Sequence, residues 1–211
     1  MRVSSLASKV RDKWRLKKAY KVLASTAFGS SEIGVTLADD ESKLYNRVIE
    51  TSLSDMIGDF SFLHIKLYFQ IVEVSDSVCK TIFKGHELSR DYIRSLIRRG
   101  TTLVDGIFNV TTKDGYTLRV TVIAITRHRA KTSQAKLIRK ISKEILLSKA
   151  AELNFDEFVQ QMVLGKIASD IYNSAKKIYP LKKVEISKSK LISKPTTEQI
   201  KLTATQSSVQ Q

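Results

Sequence analysis

Residues 104–125 read VDGIFNVTTKDGYTLRVTVIAI, the plainest strand-turn-strand pattern in the chain. Two alternating apolar segments, Val104 to Val110 and Tyr116 to Ile125, flank Lys113-Asp114-Gly115. Asp-Gly between two such runs predicts a tight hairpin, with positive φ at both central residues. The second strand runs into Arg127-His128-Arg129-Ala130-Lys131-Thr132-Ser133. Ser133 is placed to cap a helix, its hydroxyl accepting from an orphan N–H two or three residues on. That helix carries Leu137, Ile138, Ile141 and Ile145 on one side, with Lys136, Arg139, Lys140 and Lys143 across the rest. No Asp or Glu occurs from Gly115 to Lys143. A sheet delivers a basic loop, and the loop delivers a basic helix. Such an arrangement suits a polyanion better than a small-molecule pocket.

Upstream of the hairpin the spacing predicts another helix. Ser89 is its N-cap, Asp91 favours the positive end of the dipole, and Gly100 stops it. Tyr92, Ile93, Leu96 and Ile97 form its apolar face, while Arg90, Arg94 and Arg98 recur at four-residue spacing with Arg99 beside them. Guanidinium donates in a bidentate fork, so this row suits a phosphate ridge. The plainer alternative is a solvated face with ion pairs to Glu87 and Asp91.

Further strands are expected over Arg47 to Leu53, Phe62 to Val74 and Val78 to Phe83, with a turn at Ser75-Asp76. Leu63, Ile65, Leu67, Phe69 and Ile71 alternate with His64, Lys66, Tyr68 and Gln70, which is period two. Short strands linked by turns argue for an antiparallel sheet that closes or nearly closes into a barrel, giving an α+β fold. After the central helix come two shorter ones. The first is striped by Phe155, Phe158, Val159, Met162 and Val163 from a cap at Asn154 to Gly165. The second is striped by Ile167, Ile171, Ala175 and Ile178 and stopped by Pro180. A helix-turn-helix reading fails because the second helix has its basic residues at its C-terminal end; packing explains the pair better. Leu181 to Ile192 reads as a last strand with Lys182, Lys183, Lys188 and Lys190.

The ends differ in composition. Residues 1–21 hold Arg2, Lys9, Arg11, Lys13, Arg15, Lys17, Lys18 and Lys21 against one acid, Asp12, with Trp14 and Tyr20 interleaved. Cations can neutralise phosphates while aromatics stack on unpaired bases, so this stretch is expected to be an RNA-binding arm. Its bland alternative is a solvated arm with Trp14 tucked onto the domain, which is expected to cover 22–195. Residues 196–211, rich in Thr, Ser and Gln, cannot build a core and are expected to be a disordered tail. Between 32 and 76, nine acids face three bases, so that part should point away from a phosphate surface, toward solvent or a basic partner.

The 211-residue chain has a 42% hydrophobic fraction, a net charge of +15 and a pI of about 9.9. That excess favours nucleic acid or an anionic surface. No apolar run approaches the ~20 residues that span a bilayer, and the basic start has no apolar signal core, so a soluble intracellular protein is expected. The single Cys79 excludes an internal disulfide and a cysteine zinc cluster, and is expected to be buried. His86-Glu87 starts a zinc-protease pattern, but Arg90 stands where the second His belongs. No phosphate loop, dinucleotide fingerprint or triad appears among the residues. No metal, cofactor or catalytic residue is expected.

A set of short matches carries a family resemblance. They are Asp12-Lys13-Trp14, Lys18-Ala19-Tyr20-Lys21-Val22-Leu23-Ala24, Gly58-Asp59-Phe60-Ser61, Gly85-His86-Glu87 and Arg90-Asp91-Tyr92-Ile93-Arg94-Ser95-Leu96. They continue through Thr111-Thr112-Lys113-Asp114-Gly115-Tyr116, Arg129-Ala130-Lys131-Thr132-Ser133-Gln134 and Met162-Val163-Leu164-Gly165-Lys166. The last are Lys176-Lys177-Ile178-Tyr179-Pro180-Leu181 and Val184-Glu185-Ile186. In this order, over roughly residues 12–192, the chain resembles the small-subunit ribosomal protein family S-one-e, older name S-three-A-e, in its archaeal form. Ser25 departs from an expected proline, and the Gln-rich tail lies outside the shared pattern. The resemblance implies a barrel-like domain with flanking helices and basic extensions. It also implies a non-enzymatic place on the platform of the small subunit near the messenger RNA exit. Ribosomal RNA and neighbouring platform proteins would be its partners, with messenger RNA a further contact, no membrane and no homo-oligomer. A free-standing RNA chaperone or translation regulator is the alternative. The RNA contacts expected from the charge pattern are Arg11, Lys13, Trp14, Arg15, Lys17, Lys18, Lys21, Arg90, Arg94, Arg98, Arg99, Arg127, Arg129, Lys131, Lys136, Arg139 and Lys140.

Overall fold

Alternating and 3.6-periodic segments fold here into strands and helices around one large core and one small one. The computed structural model describes residues 13–195; the expected tail at 196–211 and most of the expected arm lie outside them. In chain order the described elements are β1 (Lys18–Leu23), β2 (Glu32–Ala38), β3 (Val48–Ser52), α1 (Leu53–Ile57), β4 (Ile65–Ser75), β5 (Val78–Leu88) and α2 (Arg90–Leu96). Then come β6 (Leu103–Thr111), β7 (Thr117–Thr126), α3 (Thr132–Glu152), α4 (Phe155–Val163), α5 (Lys166–Ala175) and β8 (Leu181–Ser193). The fold is α+β, as expected.

The strands form one sheet of order β2-β1-β5-β8-β7-β6, with β4 also on β5 and β3 on β4. It does not close fully, where the expectation was a sheet that closes or nearly closes. β4 pairs with β5 along nearly its whole length, so β1 and β8 must share the other edge of β5. β1 runs parallel beside Val78–Lys80, and β8 antiparallel beside Gly85–Glu87. The β8 seam needs a glycine. A Cβ on Gly85 would lie 2.2 Å from the Ser189 carbonyl oxygen. Two strands therefore occupy stretches expected to lack them. β1 takes up Lys18–Leu23, and Tyr20 and Val22 are buried there, so the end of the basic arm is sheet. β2 forms within the acidic stretch.

The 104–125 hairpin forms, but its turn differs from the two-residue form expected. Thr112 N–H donates to the Tyr116 carbonyl and Gly115 N–H to the Thr112 carbonyl, which leaves a three-residue loop. Gly115 alone takes a positive φ there, 80°, as the third residue of such a loop requires. The turn with two positive φ values is Asp76-Ser77, between β4 and β5. Asp114 is freed for another task. Its carboxylate accepts from the Phe155 N–H at 2.8 Å and so caps α4, whose N-cap Asn154 makes no side-chain bond. Tyr116 stacks on Phe155 at 4.4 Å and closes the same corner.

α3 is set one position round from expectation. Ala135, Ile138, Ser142, Leu146 and Ala150 are buried, while Leu137 is exposed. Its N-cap is Lys131, with Gln134 Oε1 accepting from the Lys131 N–H at 2.9 Å, so Ser133 lies inside the first turn. α4 and α5 bury the stripes expected of them, and Phe158, Val159, Ile167 and Ile171 join the core with β4, β7 and β8. A smaller cluster of Tyr20, Val22, Leu44, Ile71 and Cys79 sits under β1 and β2, so Cys79 is a packed apolar residue. The strand expected from Phe62 starts only at Ile65, because 60–62 form a 3₁₀ turn.

His86 locks the seam from inside. Its Nε2–H donates to the Ile186 carbonyl at 3.1 Å, and the Ser189 hydroxyl donates to Nδ1 at 2.7 Å. The Ser189 oxygen in turn accepts from the His86 N–H at 3.1 Å. This arrangement uses a neutral ring, and burial pushes the imidazole down to about 4 from its ordinary 6.5. Below about pH 6.5 the unfolded chain therefore takes up a proton that the folded chain refuses until about pH 4. Stability should fall by about 3 kcal/mol as the pH drops through that window. Urea unfolding at several pH values, beside an NMR titration of the His86 ring, checks this. A ring titrating near 6.5 in the folded protein would contradict it.

Candidate nucleic-acid interface

Strand direction sorts the basic residues to the two ends of the sheet. β5 ends at Leu88, β7 ends at Thr126 and β8 begins beside it at Leu181, so three connections gather at one end. These are the path from α2 to β6, the loop from β7 to α3, and the turn from α5 to β8. β1 runs parallel to β5 and starts below it, so Lys18 lies at the opposite end of the sheet.

Backbone and hydroxyl bonds tie the three connections together. Thr126 N–H donates to the Thr102 carbonyl at 3.0 Å, and Thr102 N–H donates to Thr126 Oγ1 at 2.9 Å. Ala130 N–H donates to Thr102 Oγ1 at 3.0 Å, and Thr126 Oγ1 donates to the His128 carbonyl at 2.6 Å. From the third connection, the Tyr179 hydroxyl donates to the Arg129 carbonyl at 3.1 Å, and Arg127 N–H donates to the Pro180 carbonyl at 3.0 Å. The basic loop is therefore fixed in its middle as well as at its ends. Arg127, His128, Arg129 and Lys131 project from it, all exposed. Lys176 and Lys177, read from sequence as the basic C-terminal end of a helix ill-suited to DNA and as part of a family motif, are exposed on the adjoining turn. Their proximity to the loop comes from the Tyr179 bond, which leaves no local mark in the sequence.

α2 is shorter than expected. Ile97 is extended (φ −84°, ψ 126°), and Arg98 and Arg99 lie in a turn rather than on the helix. Thr101 Oγ1 donates to the Arg98 carbonyl at 2.7 Å and accepts from the Arg98 N–H, while Gly100 is left-handed at φ 83°. The hydroxyl thus satisfies backbone groups that further helix would have used. The expected single row is split. Arg90 and Arg94 are on α2, and Arg98 and Arg99 lie in the turn that leads into Thr102, which the 127–131 loop binds. α2 crosses the start of β8, where Lys182 Nζ donates to the Leu96 carbonyl at 2.9 Å and Lys183 Nζ to the Tyr92 hydroxyl. His64 stacks on Tyr92 at 3.9 Å, and burial lowers its pKa.

Among the described residues no carboxylate lies within ion-pair range of Arg90, Arg94, Arg98, Arg99, Arg127, Arg129, Lys131 or Lys136. Glu87, offered as a partner for the arginines, pairs instead with Lys188 at 2.9 Å. The other contact candidates are partly committed or elsewhere. Arg139 Nε donates to the Asp105 carbonyl at 2.6 Å, with its second nitrogen 3.5 Å from the Asp105 carboxylate, so it covers the open edge of β6. Lys140 is 4.0 Å from Glu144. At the far end Lys21 pairs with Glu32 at 3.5 Å, and Lys17 Nζ lies 3.9 Å over the exposed Trp14 ring. Arg15, Lys17 and Lys18 are exposed there, Lys13 opens a 3₁₀ turn, and Arg11 lies outside the described residues. The acidic stretch is also divided. Asp39, Asp40, Glu50 and Glu73 are paired with lysines, whereas Asp55 and Asp59 fall at the basic end, just before β4. Among the described residues no three His, Cys, Asp or Glu side chains converge to hold a metal, and no helix is long and apolar enough to cross a membrane.

Replacing Arg94 and Arg98 together by Glu should weaken RNA binding and leave the melting temperature nearly unchanged. Both are exposed and break no ion pair, so each should cost within about 0.5 kcal/mol of stability. Thermal unfolding beside RNA titration checks this. A large stability loss with wild-type affinity in the folded fraction would assign them to intramolecular contacts.

Comparison with known proteins identifies the group. The Ribosomal S3Ae family matches residues 6–195. The chain belongs to that family. It is 54% identical over 189 residues to the small ribosomal subunit protein eS1 of Staphylothermus marinus, covering 90% of this chain and 89% of the relative. It is 56% identical to the eS1 protein of Aeropyrum pernix over 87% of each, and 49% identical to that of Sulfolobus acidocaldarius over 91% of this chain and 98% of the relative. The resemblance read from the short motifs is thereby shown, in its archaeal form. A ribosomal family is structural rather than catalytic.

Proposed function

We propose that this chain is a structural constituent of the small ribosomal subunit that binds ribosomal RNA through the loop-bearing end of its sheet. One observation carries the reading: three cation-bearing connections are hydrogen-bonded into a single fixed surface whose arginines have no carboxylate partner among the described residues. Free guanidinium groups on a preordered backbone lose less entropy on meeting phosphate than groups on a mobile arm. Recognition is then by charge and backbone shape, since phosphates carry no base identity. The basic stretch around Trp14 supplies a second contact at the opposite end, so the chain spans two stretches of RNA rather than gripping one. Membership of a ribosomal family puts it in ribosomes and hence in the cytoplasm. Its position is the platform near the messenger RNA exit, among neighbouring platform proteins, with messenger RNA within reach. Sedimentation of a cell lysate tests this: the chain should comigrate with small subunits and stay there at moderate salt. A chain found mainly free, at the top of the gradient, would favour a free-standing RNA-binding protein.

A further inference from the structure

The segment between β3 and β4 has no role in the RNA surface, yet it is built with care. α1 is capped by Ser52, whose Oγ accepts from the Ser54 N–H at 3.2 Å. Gly58 ends it in a left-handed conformation, φ 81°, with its N–H on the Ser54 carbonyl at 2.7 Å. Asp59 Oδ1 then accepts from the Ser61 N–H at 2.9 Å, and Leu63 N–H bonds the Phe60 carbonyl at 3.2 Å. Leu53 is fully buried, and Met56 and Phe62 pack on the core, so the segment is pinned from beneath. What it holds outward is apolar: Phe60 is 85% exposed, Leu63 62% and Ile57 51%. Single exposed apolar residues are ordinary, but three on one pinned segment point to a surface that something covers.

Charge selects the occupant. Asp55 and Asp59 lie on the same segment, exposed, with no cation in ion-pair range among the described residues, on a chain of net charge +15. Hydrogen bonds from Ser61 hold the Asp59 carboxyl below the usual range, so it is ionised. Two exposed carboxylates on the segment that presents the ring repel a phosphate backbone and attract lysine or arginine. The segment also lies at the sheet end that carries α2, since β4 begins beside the end of β5 and His64 stacks on Tyr92. A neighbour reaching it would sit against the same RNA and need a basic surface of its own. We infer that Phe60, with Ile57 and Leu63, docks into an apolar socket on a basic protein of the assembled subunit, with Asp55 and Asp59 meeting cations at the socket's rim. This rests on the proposed place in the small subunit.

The test uses the full chain assembled into small subunits. With a photoreactive benzoylphenylalanine at position 60, light should join it to a basic subunit protein. In the unmodified chain, hydroxyl-radical labelling of Phe60 and Leu63 should be lost on assembly. In competition with wild type for the subunit, Phe60→Asp should be disfavoured about thirtyfold, as for an interface hot spot. Its affinity for a naked ribosomal RNA fragment should be that of wild type. Crosslinks to RNA, or a Phe60 that stays fully reactive in the subunit, would overturn the inference. Failure of the unmodified chain to enter subunits at all would instead remove the ribosomal reading, and is seen separately in the gradient.

Discussion

Neutralising Arg127, Arg129 and Lys131 together should lower affinity for a ribosomal RNA fragment about 10²-fold at about 0.1 M salt. The reason is counterion release. Each lost phosphate contact removes about 0.7–0.9 from the log–log salt slope, so three remove about 2–3. The loss should be alike on unrelated RNA sequences, because phosphates are read without regard to base. Stability should be almost unaffected, since the backbone bonds that shape the loop involve Thr102, Thr126, Tyr179 and Pro180 rather than these side chains. Titrations of the triple variant and wild type over a range of salt decide the matter. An unchanged slope would move the principal contact to the segment around Trp14 at the other end of the sheet.

Gly85→Ala should be among the most damaging single substitutions in the domain. Its Cβ would fall 2.2 Å from a backbone oxygen, which no rotamer change relieves. β5 and β8 would have to part where Gly85 faces Lys190 and His86 faces Ser189. The three His86 bonds would be strained with them. A loss of about 4 kcal/mol is expected from overpacking combined with a broken buried network. Urea unfolding at neutral pH, with an unchanged denaturant slope, gives the number. A loss under about 1 kcal/mol would mean that the seam can open without cost to the rest of the sheet.

The parts of this fold legible in the sequence are those with a local period. The 104–125 hairpin, the stripes of α4 and α5 and the last strand all announce themselves by alternation or by 3.6-residue spacing. The parts that were not legible depend on distant backbone. Lys18-Ala19-Tyr20-Lys21-Val22-Leu23 looks like the end of a basic arm, yet its pairing with Val78–Lys80 makes it an inner strand. The helix expected to reach Gly100 stops at Leu96 because Thr101 captures the Arg98 backbone. The site shows the same division. The basic loop was legible from its cations and from the absence of acids. That it adjoins Arg98, Arg99, Lys176 and Lys177 was not, because Thr102–Thr126 and Tyr179–Arg129 contacts join residues far apart in the chain. Arg139 looks like any other helix cation in sequence, and only the register of β6 shows that it covers the Asp105 carbonyl.

If one end of the sheet is the RNA face, a map of protein–RNA crosslinks on purified small subunits should show it. Crosslinked peptides should concentrate on residues 94–102, 127–136 and 176–177, with a second group around Trp14. A map that leaves these loops unmarked and falls on β2, β3 and the Asp76-Ser77 turn would place the RNA face elsewhere.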